Sequence, residues 1–122
     1  MKIYVAGKYQ ERQYVRYLMS QLVEMGHTIT CDWTDQSIYP PDYITFRSAV
    51  DDINAIRDCD IYIGIFLHKL AYRGSLVEMG AALISGKPTY ILGHAFDGFV
   101  FIYHPLVRVF DTEEELLDAL RP

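Results

Sequence analysis

The sequence predicts a single α/β domain over residues 1–122, a flavodoxin-like or Rossmann-like sandwich of about five parallel strands with helices on both faces. Three observations predict it. Strand-like and helix-like periods alternate along the chain, which implies right-handed crossovers and a parallel sheet. The run DIYIGIFL at 60–67 is apolar without alternation, as expected for a central strand covered on both faces. A length of 122 residues, 51% of them hydrophobic, suits one compact core, and there is no internal repeat, low-complexity tract or sign of a second domain.

The first strand is KIYVA at 2–6, closed by Gly7. Over 10–25, Val15, Leu18, Met19, Leu22, Val23 and Met25 keep the one-face spacing of an amphipathic helix, which Gly26 stops. Residues 28–33 read as a second strand, followed by a loop in which Pro40 and Pro41 exclude regular structure. A second helix over 43–57 groups Phe46, Val50, Ile53 and Ile56 on one face. After the central strand comes a helix over 75–85, ended by Gly86, Lys87 and Pro88; its apolar positions go all the way round, which predicts burial. Strands at 89–92 and 107–110 flank a Gly- and aromatic-rich connection over 93–103, and 112–120 forms the last helix. In such sheets ligands bind beyond the carboxyl ends of the strands, near the switch point of strand order. The segments expected at that edge are 7–12, 31–43, 68–78 and 94–104.

A formal net charge of −5 and a pI near 5.2 argue against bulk attraction to polymeric nucleic acid or to an anionic membrane. No run approaches the ~20 apolar residues of a membrane span, and the apolar start at 1–7 is too short for a signal peptide. Cys31 and Cys59 make neither a disulfide framework nor a CxxC pair, so a cytoplasmic setting is expected. His27, His68, His94 and His104 show no HxxxH or HxH spacing, so no metal is expected. The ten tyrosines suit a polar-lined pocket or an interface. Tyr9, Tyr39, Tyr43, Tyr72 and Tyr103 fall at the ligand edge, Tyr4, Tyr62 and Tyr90 in core strands, and Tyr14 and Tyr17 on the first helix.

Glu78 is the only charged residue of GSLVEMGAALI at 74–84. An unpaired buried carboxylate is strongly disfavoured, so Glu78 needs a role, and two are open. Ser75-x-x-Glu78 has the spacing of a capping box, in which the Glu bends back to an N–H at its own helix start. The same spacing recurs at Thr112-x-x-Glu115, where a surface helix start is the plain reading. Alternatively, Glu78 sits near a helix N-terminus whose dipole favours an ionised carboxylate, which suits a nucleophile. A side chain bent back to its cap cannot also attack. Asp51 and Asp52 lie mid-helix, about 100° apart around the axis, so at most one of them faces a site; a solvated helix surface is the plain alternative for both. Asp58 and Asp60 lie at the wrong end of their strand for chemistry and are expected to be structural. Gly7-Lys8-Tyr9, Arg12 and Arg73-Gly74-Ser75 offer N–H, cationic and hydroxyl donors to an anion, without a GxGxxG or Walker pattern.

Taken together, VDDINAIRDCDIYIGIF at 50–66 and YRGSLVEMGAALISGKPTYIL at 72–92 resemble the nucleoside 2-deoxyribosyltransferase family, including its 2′-deoxynucleoside 5′-phosphate N-hydrolase relatives. The shared features are a glycine after the first strand, an Asp in a D-[IL]-x-x-[IL] helix, a central D-[IV] strand and G-x-x-x-E-[ML]-G-x-A. The resemblance spans about residues 2–92. It implies an enzyme that uses no metal or cofactor and cleaves or transfers the N-glycosidic bond of a (deoxy)nucleoside or its 5′-monophosphate. On that resemblance Glu78 matches the nucleophile that attacks C1′, Asp52 the carboxylate that protonates or hydrogen-bonds near the leaving base, and Gly74 the glycine lining the sugar or phosphate pocket. The chemistry would be a retaining double displacement, for which a carboxylate separation of roughly 5 to 6 Å is expected.

Six residues before Glu78, where the transferases tend to carry Asp and the phosphohydrolases Ser, stands Tyr72. Lys8, Arg12, Arg73 and Ser75 would surround the 5′ end and favour a phosphate there. The chain ends at Pro122 without the C-terminal extension common in the transferases, which tilts the expectation towards a hydrolase on nucleoside monophosphates. Trp33, Tyr39 and Tyr43 are candidates to stack on the base and Tyr9 to contact the sugar. The family's sites are often shared across dimers, so a homodimer or higher homo-oligomer is expected, with 94–104 reaching a neighbour's pocket. The rival reading is a non-catalytic nucleotide-binding or sensing module on the same fold. A flavodoxin-like electron carrier lacks a Ser/Thr-rich flavin phosphate loop.

Overall fold

The computed structural model describes residues 1–40 and 46–122. Its elements are β1 (Lys2–Ala6), α1 (Arg12–Glu24), β2 (Thr28–Ile29), α2 (Phe46–Asp58), β3 (Ile61–Ile65), α3 (Arg73–Ile84), β4 (Thr89–Leu92), β5 (Val107–Phe110) and α4 (Glu113–Ala119), with short 3₁₀ turns at Tyr9–Glu11 and Val100–Tyr103. All five strands pair in parallel in the order β2-β1-β3-β4-β5. This is the doubly wound arrangement expected from the alternating periods.

Alternation along the strands divides the core in two. Ile3 and Val5 of β1 meet Val15, Leu18 and Leu22 of α1, with α4 on the same side. Tyr4 and Ala6 point the other way, into a layer that includes Ile56 of α2 and Met79 and Ala82 of α3. The β3 residues are buried throughout, as a central parallel strand requires.

The second strand is much shorter than the predicted 28–33. Asp32 accepts from Thr34 N at 3.0 Å, a local turn that diverts the chain. Trp33 folds back instead, its indole N–H donating to Val5 O at 2.6 Å. On α2 the expected stripe is also displaced. Val50 and Ile53 are exposed, whereas Ala55 and Ile56 are buried, with Cys59 just beyond the helix. Asp52 lies three and four residues before that pair, on the same side of the helix. The predicted start at 43–45 lies outside the described residues.

α3 departs from its prediction in a second way. Ser75, Met79 and Ala82 are buried, but Val77 and Ile84 are 67% and 89% exposed. An all-round apolar helix here covers the sheet with one face and leaves another open. No helix among the described residues is long and apolar enough to cross a membrane.

Candidate active site

The chain leaves β1 towards β2 on one side, while β3 continues to β4 on the other. The loops after β1 and β3 therefore diverge at the carboxyl edge and leave a cleft, as doubly wound sheets do at their switch point. The cleft has a volume of about 620 Å³. Gly7, Lys8, Tyr9 and Gln10 line one side, residues 71–75 another, and Tyr4, Trp33, Asp52 and Glu78 also line it.

Three elements bring the reactive groups together. β1 directs Tyr4 towards α2 and α3, and its hydroxyl donates to Glu78 Oε2. The Glu78 carboxyl in turn faces the same cleft as that of Asp52 from α2, and each perturbs the other's ionisation. Burial pushes Glu78 up to about 8; the Tyr4 hydrogen bond opposes the rise and the Asp52 charge adds to it. Burial also raises Asp52, against hydrogen bonds from Cys31 and Glu78 that favour its ionised form. Two buried carboxyls that perturb each other resist double ionisation, and Glu78 is the one whose protonated form burial favours most strongly. Tyr62 stacks on Tyr4 with ring centroids 6.0 Å apart, and its hydroxyl donates to Ser75 O at 2.7 Å, which fixes the ring.

Glu78 is not turned back to its helix start. α3 begins two residues before the expected cap, at Arg73, because Leu76 N already bonds Tyr72 O at 2.9 Å. Tyr72 occupies the N-cap position without a side-chain cap bond. Ser75, inside the first turn, donates through Oγ to Gly7 O at 3.0 Å and ties the two loops together.

Of the residues singled out in the sequence, Gly7, Lys8, Tyr9, Trp33, Asp52, Tyr72, Arg73, Gly74, Ser75 and Glu78 line this one cleft. Gly7 is needed for close approach, since a Cβ there would lie 2.7 Å from Val15 Cγ2. At Gly74 a Cβ would meet nothing within 4 Å, so the fold's own packing does not require that glycine. The Lys8 ammonium donates to Ala71 O across the cleft mouth. Arg12 does not line the cleft: its guanidinium lies 4.3 Å from the Tyr9 ring centroid, over the ring, and donates to Tyr9 O at 3.2 Å.

Tyr72 is 3% exposed, its ring packed on Phe66 and Phe96 and its hydroxyl donating to Glu11 Oε1 at 2.7 Å. It sits at the cleft wall, yet its proton is committed elsewhere. Tyr39 and Asp51 face a neighbouring cavity, and Tyr43 lies outside the described residues. No residue of 94–104 lines the cleft; Phe99, Phe101 and His104 instead border an apolar hollow against α3. Asp60 is structural as expected, accepting from Lys2 N at 2.8 Å.

Tyr4, a core-strand residue by its sequence pattern, also lines the cleft. The signal available for it was its hydroxyl: a tyrosine within a buried strand must find a hydrogen-bond partner. Among the described residues no group of three or more His, Cys, Asp or Glu side chains converges as a metal site would require.

No protein-family model and no curated protein matches the chain. Solved structures do. A CMP N-glycosidase, BcmB, of Clostridium botulinum is 20% identical and superposes with a TM-score of 0.71, covering 98% of each chain. A 2-deoxyribosyltransferase of Bacillus psychrosaccharolyticus is 23% identical, with a TM-score of 0.76 over 99% of this chain and 96% of its own. A conserved protein of Enterococcus faecalis V583 is 17% identical, with a TM-score of 0.72 over 98% of this chain and 96% of its own. The chain shares the fold of all three along nearly its whole length.

Proposed function

We propose that this protein belongs to the nucleoside 2-deoxyribosyltransferase family and cleaves or transfers the N-glycosidic bond of a (deoxy)nucleoside or its 5′-monophosphate. The observation that carries this reading is that Glu78 and Asp52 line one switch-point cleft, with Tyr4 bonded to Glu78. The motif resemblance supports it, as do two fold neighbours described as an N-glycosidase and a 2-deoxyribosyltransferase.

A substrate entering the cleft separates the two carboxyls. The proton passes from Glu78 to Asp52 as they part, and Glu78 is left ionised. A Glu78 oxygen attacks C1′ as the C1′–N bond breaks, the bonding pair leaving with the base, while Asp52 protonates a base nitrogen. The product is a glycosyl ester on Glu78. Asp52, now a carboxylate, takes the proton of water or of a second base as that acceptor attacks C1′, which regenerates Glu78 with net retention. The Tyr4 hydrogen bond favours ionised Glu78 and orients its attacking oxygen.

The outer end of the cleft suits a 5′-phosphate. Lys8 and Arg73 line it, and the first turn of α3 presents N–H groups that a helix cannot satisfy internally. Gly74 leaves room for close approach there. The exposed apolar residues Ile84 on α3 and Phe101, which border one apolar hollow, fit a homo-oligomer, which sedimentation velocity would reveal and a monomer at all concentrations would exclude.

The reading is tested by incubating the protein with nucleosides and their 5′-monophosphates and following free base by chromatography. Base release from at least one substrate, lost in Glu78→Ala, is expected. Release that persists unchanged in Glu78→Ala overturns the mechanism, and nucleotide binding by calorimetry with no release from any substrate favours the binding module instead.

A further inference from the structure

The carboxyl pair has a second neighbourhood that the mechanism above does not use. Cys31, just after β2, Tyr39, in the loop beyond it, and Asp51, on α2, line a separate cavity of about 340 Å³, and none of the three lines the substrate cleft. They are nonetheless linked to it. The Tyr39 hydroxyl donates to Asp51 Oδ2 at 2.9 Å. Cys31 Sγ lies 3.4 Å from that hydroxyl oxygen and 3.7 Å from Asp52 Oδ1, both within the reach of a thiol hydrogen bond. The thiol has a single proton and two acceptors. Because the Tyr39 proton goes to Asp51, the choice for the thiol is a phenolic oxygen or a carboxylate, and an ionised acceptor draws a donor more strongly than a neutral one.

We infer that Cys31 and Tyr39 are positioning residues for Asp52, an arm anchored on Asp51 that approaches the carboxyl from behind and stabilises the charge left on it when its proton passes to the leaving base. The inference rests on the function proposed above. The thiol proton follows the charge of Asp52, turning to Oδ1 when the carboxyl is ionised and to Tyr39 when it is protonated. Among the described residues, the titratable groups that bear most on Asp52 belong to this arrangement: Glu78 from α3, Tyr4 from β1, Cys31 beyond β2 and Asp51 beside it on α2. The thiol itself remains protonated through the working range, since burial pushes Cys31 up to about 11. It therefore acts as a donor, not as a nucleophile.

The test combines a carboxyl ¹³C NMR titration of Asp52 and Glu78, which needs no substrate, with base-release kinetics on the wild type, Cys31→Ala, Cys31→Ser and Tyr39→Phe. Cys31→Ala is expected to move the Asp52 titration upward by about 0.5 to 1 pH unit, while Cys31→Ser, which keeps a donor, stays within about 0.3 of the wild type. Tyr39→Phe, which removes the acceptor the thiol uses while Asp52 is protonated, shifts it the other way, downward, and by less. The kcat for base release falls roughly three- to tenfold in Cys31→Ala, with KM within about twofold, because the lost interaction belongs to the step and not to binding. An Asp52 titration unmoved in Cys31→Ala overturns the inference whatever the kinetics show; where the alanine variant fails to fold, an Asp52 titration unmoved in Tyr39→Phe overturns it. If the titrations shift as expected but no nucleoside or nucleotide releases base in the wild type, the proposed function fails while the arm stands.

Discussion

The starts of α3 and α4 carry the same spacing, Ser75-x-x-Glu78 and Thr112-x-x-Glu115, and use it in opposite ways. At α4, Thr112 is the N-cap and its hydroxyl accepts from Glu115 N at 3.2 Å. Glu115 bends back to Asp111 N at 3.3 Å, and both residues look outward from the fold. At α3 the helix begins earlier, Ser75 donates across to Gly7 O, and Glu78 turns to Tyr4 and Asp52. In both helices the motif serves a local need for hydrogen bonds, but at α3 the partners come from another strand and another helix. A capping-box spacing is therefore an option that the surrounding packing accepts or replaces.

The sharpest way to break this comparison is to neutralise each glutamate. Glu78→Gln is expected to lower base release by at least about a thousandfold, whereas Glu115→Gln leaves it within about twofold. Stability moves the other way. The folded protein holds Glu78 near 8 against an ordinary 4.5, so it binds the proton more tightly than the unfolded chain. That contribution is complete below about pH 4.5 and is lost as pH rises through about 8. Above pH 8 the wild type carries a buried charge that Gln lacks, and Glu78→Gln should be more stable by on the order of 2 to 4 kcal/mol in urea melts at pH 9, with little difference at pH 4. A variant less stable than wild type at pH 9 would show that Glu78 is not held against its ionisation.

Tyr4→Phe sharpens the same contrast at smaller amplitude. Losing this donor raises Glu78 further, so the pH–rate profile should shift to higher pH by about one unit and the rate at pH 7 fall roughly tenfold. An unshifted profile would remove Tyr4 from the site. The smallest effect belongs to the true cap. Thr112→Ala should cost about 1 kcal/mol by urea melt with base release unchanged, while Ser75→Ala, which strands Gly7 O, should cost a similar amount and also raise KM by loosening the loop that lines the cleft. Equal kinetics in the two variants would contradict the division of roles.

Much of this arrangement was legible in the sequence, and the exceptions share a cause. Strands at 2–6, 89–92 and 107–110 match their predicted limits, the first two because buried strand runs bounded by glycine or proline carry their own signal. The second strand was overextended because Trp33 returns its indole to Val5 O instead of continuing the ladder, a long-range choice with no local mark. Val50 and Ile53 looked like core by period and are exposed, since period groups residues on a face without saying which neighbour that face meets. Arg12 and the 94–104 segment were placed at the ligand edge by element order, but the ring of Tyr9 and the flank of α3 hold them elsewhere.

By itself the sequence determined the alternation of strands and helices, and with it a parallel sheet whose loops after β1 and β3 part at one edge. It also placed a lone carboxylate in an apolar helix, which chemistry required to have a partner. Only the tertiary structure decided which partner. Glu78 had a cap at its own helix start, three residues away, and Tyr4 and Asp52 at sequence separations of 74 and 26 residues. Local spacing names the near candidate, but burial makes a hydrogen bond obligatory without specifying its source. The packing of α2 and α3 over β1 supplied the distant one.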